Sequence, residues 1–127
     1  MSNETTTYVI PPSSSPQSSN PIKPDPYAIH HSDSPSIVLV TPLLIGDNYG
    51  SWSRAVIKAL RAKSKLGFID GSFPIPKEQD DISNWERCND LIGSWILNSI
   101  SPKIRPSILY AETAAQIWTD LKNCFSQ

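Results

Sequence analysis

Apolar positions recur at helical intervals in three stretches of the chain. At about 100° per residue, Tyr49, Trp52, Val56, Ala59 and Leu60 fall on one side of a helix expected over residues 49–64. Asp47 or Asn48 stands where a side chain caps free amides, and Gly67 stands where a left-handed residue ends a helix. A second helix is expected over residues 81–99, with Ile82, Trp85, Cys88, Ile92, Trp95, Ile96 and Ile100 in one arc. Leu91 and Leu97 fall outside that arc, so this helix is expected to be touched on two sides. Asp80 and Asp81 suit its positive N-terminal end. Thr113-Ala114-Ala115-Gln116 has the capping-box pattern and opens a third helix, on which Ala114, Ile117, Trp118, Leu121 and Phe125 share a face.

The intervening stretches read differently. Residues 66–77 carry Gly67, Gly71, Pro74 and Pro76 and form a connector, whose Phe68, Ile69, Phe73 and Ile75 fold back on the core. Ser101-Pro102 reads as a cap and first helical residue of a short helix holding Ile104 and Ile108; Pro106 limits its regularity. Ile37-Val38-Leu39-Val40, stopped by Thr41-Pro42, suits either one short strand or an extended segment packed on helices. Three to four amphipathic helices with short connections predict a small all-α domain.

Composition adds a boundary. Of the 12 prolines, eight lie between Pro11 and Pro42, whereas the four tryptophans lie at or beyond Trp52. Residues 1–36, rich in Ser, Thr, Pro and Asn, cannot bury enough apolar surface to offset chain entropy. They are expected to form a disordered arm, with Tyr27-Ala28-Ile29-His30-His31 able to dock on the domain that occupies residues 37–127. Eleven basic and twelve acidic side chains give a net charge of −1, which argues against a whole-chain nucleic-acid binder. No stretch resembles a signal peptide or spans a membrane. Cys88 and Cys124 are too few for a disulfide framework. These features point to a reducing, cytoplasmic setting.

Candidate chemistry is sparse. There is no glycine-rich phosphate loop. Asp33-Ser34-Pro35 has proline where an aspartic protease has glycine. His30 and His31 are adjacent and lack a completing ligand set, and both cysteines sit on apolar helix faces, where core packing is the natural role. No catalytic residue, cofactor, metal or small-molecule substrate is therefore expected. Arg54, Lys58, Arg61 and Lys65 recur at helical spacing with no acid between Asp47 and Asp70. The plain reading is a solvated helix face. The functional one is a weak, salt-sensitive contact to RNA. Leu91, Leu97 and Tyr110, off the main apolar faces, are the candidates for self-association.

Four strings stand in order: Asp33-Ser34-Pro35, Gly46-Asp47-Asn48-Tyr49-Gly50-Ser51-Trp52, Lys65-Leu66-Gly67-Phe68-Ile69-Asp70-Gly71, and Ala114-Ala115-Gln116-Ile117-Trp118-Thr119-Asp120-Leu121. Together they resemble the N-terminal Gag region of copia-type LTR retrotransposons. The first three look like its copia-like N-terminal domain, and residues 85–125 look like the start of the Gag polypeptide that follows. The resemblance implies a non-enzymatic, capsid-like helical lobe that contacts copies of itself or full-length Gag within a virus-like particle. The family's fuller proteins continue into further helices and often a zinc knuckle for RNA. This chain is accordingly expected to be a lobe truncated at its C-terminal end. Two other readings stay open: an RNA-binding module using the basic stripe, and a host-retained relic that co-assembles with complete Gag.

Overall fold

The spine of the fold is a long helix whose C-terminal half is covered around most of its circumference. The structure, a computed structural model, describes residues 25–108 and 110–126; residues 1–24, most of the expected arm, lie outside the described residues. The helices are α1 (Tyr49–Ala62), the single turn α2 (Gly67–Asp70), α3 (Gln79–Asn98) and α4 (Ala114–Phe125), with a 3-10 turn at Arg105–Ile108. Helix α3 buries Trp85, Cys88, Leu91, Ile92, Trp95 and Ile96, and also Asn89 and Gly93. So wide an apolar surface needs neighbours on several sides. Helix α1 supplies Trp52, Val56 and Leu60, and α4 supplies Ala114, Ile117 and Leu121. The Trp52 and Trp118 rings stack at 5.8 Å between centroids. Gly93 lets α4 approach, since a Cβ there would meet Ile117 Cδ1 at 3.4 Å. The domain is all-α, and no strand forms among the described residues; an isolated parallel bridge joins Leu44 to Ile100.

Helix ends depart from expectation in two places. Asn48 precedes α1, but its side chain makes no cap bond to the helix. It faces backwards instead, accepting from the Ile45 amide at 2.9 Å and donating to the Leu43 carbonyl at 2.9 Å. Helix α1 also ends earlier than Gly67. Ser64 adopts φ 60°, its amide bonds Arg61 O, and the Lys65 amide bonds Leu60 O. This is the Schellman pattern, with serine in the left-handed position. Gly67 serves a different need: it is buried at the start of α2, and a Cβ there would lie 2.4 Å from the Phe73 ring. The third cap stands as expected, with Thr113 Oγ1 accepting from the Gln116 amide at 3.0 Å. The Gln116 side chain reaches forward to Asp120 rather than back to the cap.

Residues 25–40 form a strap along α3. Tyr27 O accepts from the Cys88 thiol, Ser34 O from Trp95 Nε1, and Pro35 O and Ile37 O from Asn98 Nδ2. From Tyr27 with Cys88 to Ile37 with Asn98 the strap advances residue for residue with the helix. It thus covers about 1.5 Å per residue, where a strand needs about 3.3 Å. That pace rules out a strand over residues 27–37 and explains the turns over residues 26–36. Residues 25–36, which composition assigns to the arm, are held here because Trp95 is fully buried and its indole N–H needs an acceptor.

Two other indoles act likewise: Trp52 Nε1 donates to Ser99 O at 2.9 Å and Trp85 Nε1 to Phe73 O at 2.8 Å. Ser99, fully buried, collects the most. Its hydroxyl donates to Trp95 O and accepts from the Leu39 and Val40 amides, and its carbonyl accepts from the Leu44 amide as well as Trp52. Ser99→Ala should cost about 3 kcal/mol, since it strands two backbone amides. Trp95→Ala should cost about 3–5 kcal/mol, and Trp118→Ala less, because Trp118 is only half-buried. Urea unfolding of the three variants tests this order; an unchanged midpoint for Ser99→Ala would contradict it.

Candidate functional site

Helix α1 turns Trp52, Val56 and Leu60 inward, which sends Arg54, Lys58 and Arg61 to solvent on its opposite side. Lys65 does not join them. It lies beyond the left-handed Ser64, is 4 % exposed, and faces Cys88 closely enough for its charge to act on the thiol. The expected four-residue stripe is therefore three residues, because the helix stops one turn short of Lys65. Among the described residues the one ion pair is Lys63–Asp33 at 3.3 Å, so all three stripe cations are free of acidic partners there.

The three residues expected to mediate self-association also separate. Leu91 is 8 % exposed and belongs to the core, because α3 is covered on its second side too. Leu97 is half-buried and lines a shallow groove of about 220 Å³ between α3 and the start of α4, with Gly93, Ala111, Ala114 and Ile117. Tyr110 is 93 % exposed. It borders a second depression of about 480 Å³ with Ser107, Glu112, Gln116 and Asp120. The two depressions share Ala111, Glu112 and Thr113, so Leu97 and Tyr110 flank one continuous surface. Asp90, Glu112 and Asp120 give it a negative rim. Sequence reasoning missed these acids. They lie on two helices and a connector, and only the packing of α4 on α3 gathers them. Asn89 fixes that packing by accepting the Ala114 amide at 2.8 Å in the interior.

Burial pushes the Cys88 thiol above its ordinary value, against the nearby Lys65 charge, so the thiolate is disfavoured. Cys124 is exposed rather than packed: on the last turn of α4 it is Phe125 that turns inward, towards Gly46. Among the described residues no group of three or more His, Cys, Asp or Glu could hold a metal ion, and no helix is long and apolar enough to cross a membrane. Asp33-Ser34-Pro35 is instead a clasp. Asp33 Oδ2 accepts the His30 amide at 3.0 Å, Asp33 Oδ1 meets Lys63, and the Lys63 ammonium lies 5.0 Å from the Trp95 ring centroid. Burial alone would raise the Asp33 carboxyl, but the His30 amide and the Lys63 ammonium outweigh it and hold it below its ordinary value.

The family described as the Gag polypeptide of LTR copia-type elements matches residues 30–77, which hold the clasp, α1 and α2. The matched stretch is a copia-type Gag region. The match lies upstream of residues 85–125, where the resemblance places the start of that polypeptide. The retrovirus-related Pol polyprotein from transposon RE2 of Arabidopsis thaliana is 36 % identical over 93 residues, covering 65 % of this chain and 6 % of the relative. The corresponding polyprotein from transposon RE1 of the same plant is 33 % identical over 93 residues, with the same two coverages. The chain thus spans about 6 % of the length of these curated relatives. No solved structure matches it.

The clasp gives this Gag region a pH dependence of known sign. A carboxyl whose folded value lies below its unfolded value of about 3.9 contributes stability above that value and loses it as pH falls through the folded one. Wild-type stability should therefore exceed that of Asp33→Asn at pH 6, by under about 1 kcal/mol for so exposed a lysine partner. The gap should narrow by about pH 3, below the unfolded value. Paired urea titrations at the two pH values measure it, and a gap that widens in acid would refute the assignment.

Proposed function

We propose that this Gag region is a non-enzymatic structural unit that works by protein–protein contact, with copies of itself or with longer Gag chains, in a virus-like particle. The observation that carries the reading is Tyr110, 93 % exposed at the edge of a groove whose other flank is Leu97. A tyrosine presents a large apolar body and a polar tip, and such residues are enriched where proteins meet. The helical core, by contrast, is closed around its own tryptophans, and among the described residues no group of three or more His, Cys, Asp or Glu could hold a metal ion. That the matched relatives are Pol polyproteins concerns their whole length, of which this chain covers 6 %.

A second reading, contact with RNA through Arg54, Lys58 and Arg61, draws on their exposure without acidic partners. Three phosphate contacts on a single strand would give a salt slope of only about −2 in log–log terms. Sedimentation velocity across a wide concentration range separates the two. Concentration-dependent association, weakened about tenfold by Tyr110→Ala combined with Leu97→Ala, is expected. A protein that stays monomeric throughout while binding RNA would overturn the reading.

A further inference from the structure

The charge of this chain is close to balanced overall, at −1, yet it is not mixed evenly over the surface. Arg54, Lys58 and Arg61 stand together on the outer side of α1 with no acid among them. Asp90, Glu112 and Asp120 stand around the depressions at the start of α4, with no lysine or arginine lining either one. Three positive charges thus face solvent on one surface and three negative charges on another, and the two surfaces share no residue. None of the six is ion-paired among the described residues. Asp120 and Asp90 are held in place by amide donors instead, Gln116 Nε2 at 2.8 Å and Asn89 Nδ2 at 3.3 Å.

We propose, resting on the assembly reading above, that copies of this chain associate head to tail, the basic outer face of α1 in one copy docking on the acidic Leu97–Tyr110 groove of the next. Charge complementarity selects this arrangement. A two-fold contact places the same patch on both sides of the interface. Pairing α1 with α1 would oppose three cations to three cations, and pairing groove with groove would oppose three acids to three acids. Like charges across an interface are costly and unlike charges steer encounter. Pairing the unlike surfaces satisfies both. Tyr110 and Leu97 then supply the apolar contact inside a charged rim, the usual anatomy of an interface. The basic face serves a second copy of the chain, and RNA is the competing occupant to be tested.

The test uses two full-length variants with reversed charge. The first is Arg54→Glu, Lys58→Glu and Arg61→Glu; the second is Asp90→Lys, Glu112→Lys and Asp120→Lys. All six positions are solvent-facing or rim positions, and circular dichroism with urea unfolding verifies that each variant folds. In sedimentation velocity each variant alone should associate at least tenfold more weakly than wild type, because both its faces now carry one sign. An equimolar mixture should regain association by alternating the two. Adding Tyr110→Ala to both variants should abolish that recovery, which general attraction between oppositely charged proteins would survive. Wild-type association should weaken as salt rises and shortens the screening length. Wild-type association that both variants leave intact, or a mixture that recovers nothing, would overturn the head-to-tail contact while leaving assembly standing. Loss of RNA binding without loss of association in the first variant would assign the basic face to RNA instead. Absence of any wild-type association would defeat the assembly reading itself, a result distinct from the others.

Discussion

Ser99 is the point at which separate parts of the chain are tied together. It is buried, sits just past the end of α3, and offers one hydroxyl and one carbonyl to four segments. The hydroxyl closes on Trp95 O and receives the strap amides; the carbonyl receives the Leu44 amide and the Trp52 indole. A hydrophobic core alone would leave the strap free to slide, because apolar contact has no direction. Hydrogen bonds to a buried residue set a register, since leaving any of these groups unpaired in the interior is expensive. The path of residues 39–44 follows from one serine. Because Trp52 is the first buried residue of α1, the seating of α1 against α3 follows from it too.

The tryptophans show what sequence can and cannot reveal. Their spacing placed Trp52, Trp85 and Trp95 on buried helix faces, and they are buried. Spacing says nothing of where an indole N–H points. Each of the three donates to a connecting segment: Ser99 beyond α3, Phe73 in the connector, and Ser34 in the strap. The all-α class and the course of the three long helices, though not their ends, were legible because amphipathic periodicity is a local property. The strap was half legible. Tyr27 to His31 looked apolar enough to dock, but the hold on Ser34, Pro35 and Ile37 depends on partners some 61 residues away.

The candidate surface was legible only in fragments. Arg54, Lys58 and Arg61 were visible as a helical stripe, and Tyr110 as an aromatic residue outside any core face. Lys65 was misplaced because a serine, a residue that rarely adopts the left-handed conformation, ends α1 before the pattern reaches it. Leu91 lies in the core rather than at a self-association surface, because the second cover of the helix comes from the domain itself. The acidic rim had no signal at all in one dimension. Asp90, Glu112 and Asp120 become neighbours only through the Asn89–Ala114 bond that docks α4 on α3.

The coiled course of the strap gives it slack. Between Tyr27 and Ile37 ten peptide steps advance only as far as the turns of α3 beneath them, roughly 15 Å at helical rise. Drawn straight, the same ten steps would reach roughly 33 Å. The difference, roughly 18 Å by the same geometry, is contour length stored under the Asp33–Lys63 and Ser34–Trp95 contacts. A pull from upstream would meet the Tyr27–Cys88 contact first, and with the strap contacts parted the chain would extend by that length before loading the Ser99 bonds to residues 39 and 40. The stored length, roughly 18 Å, exceeds half the diameter of a small domain.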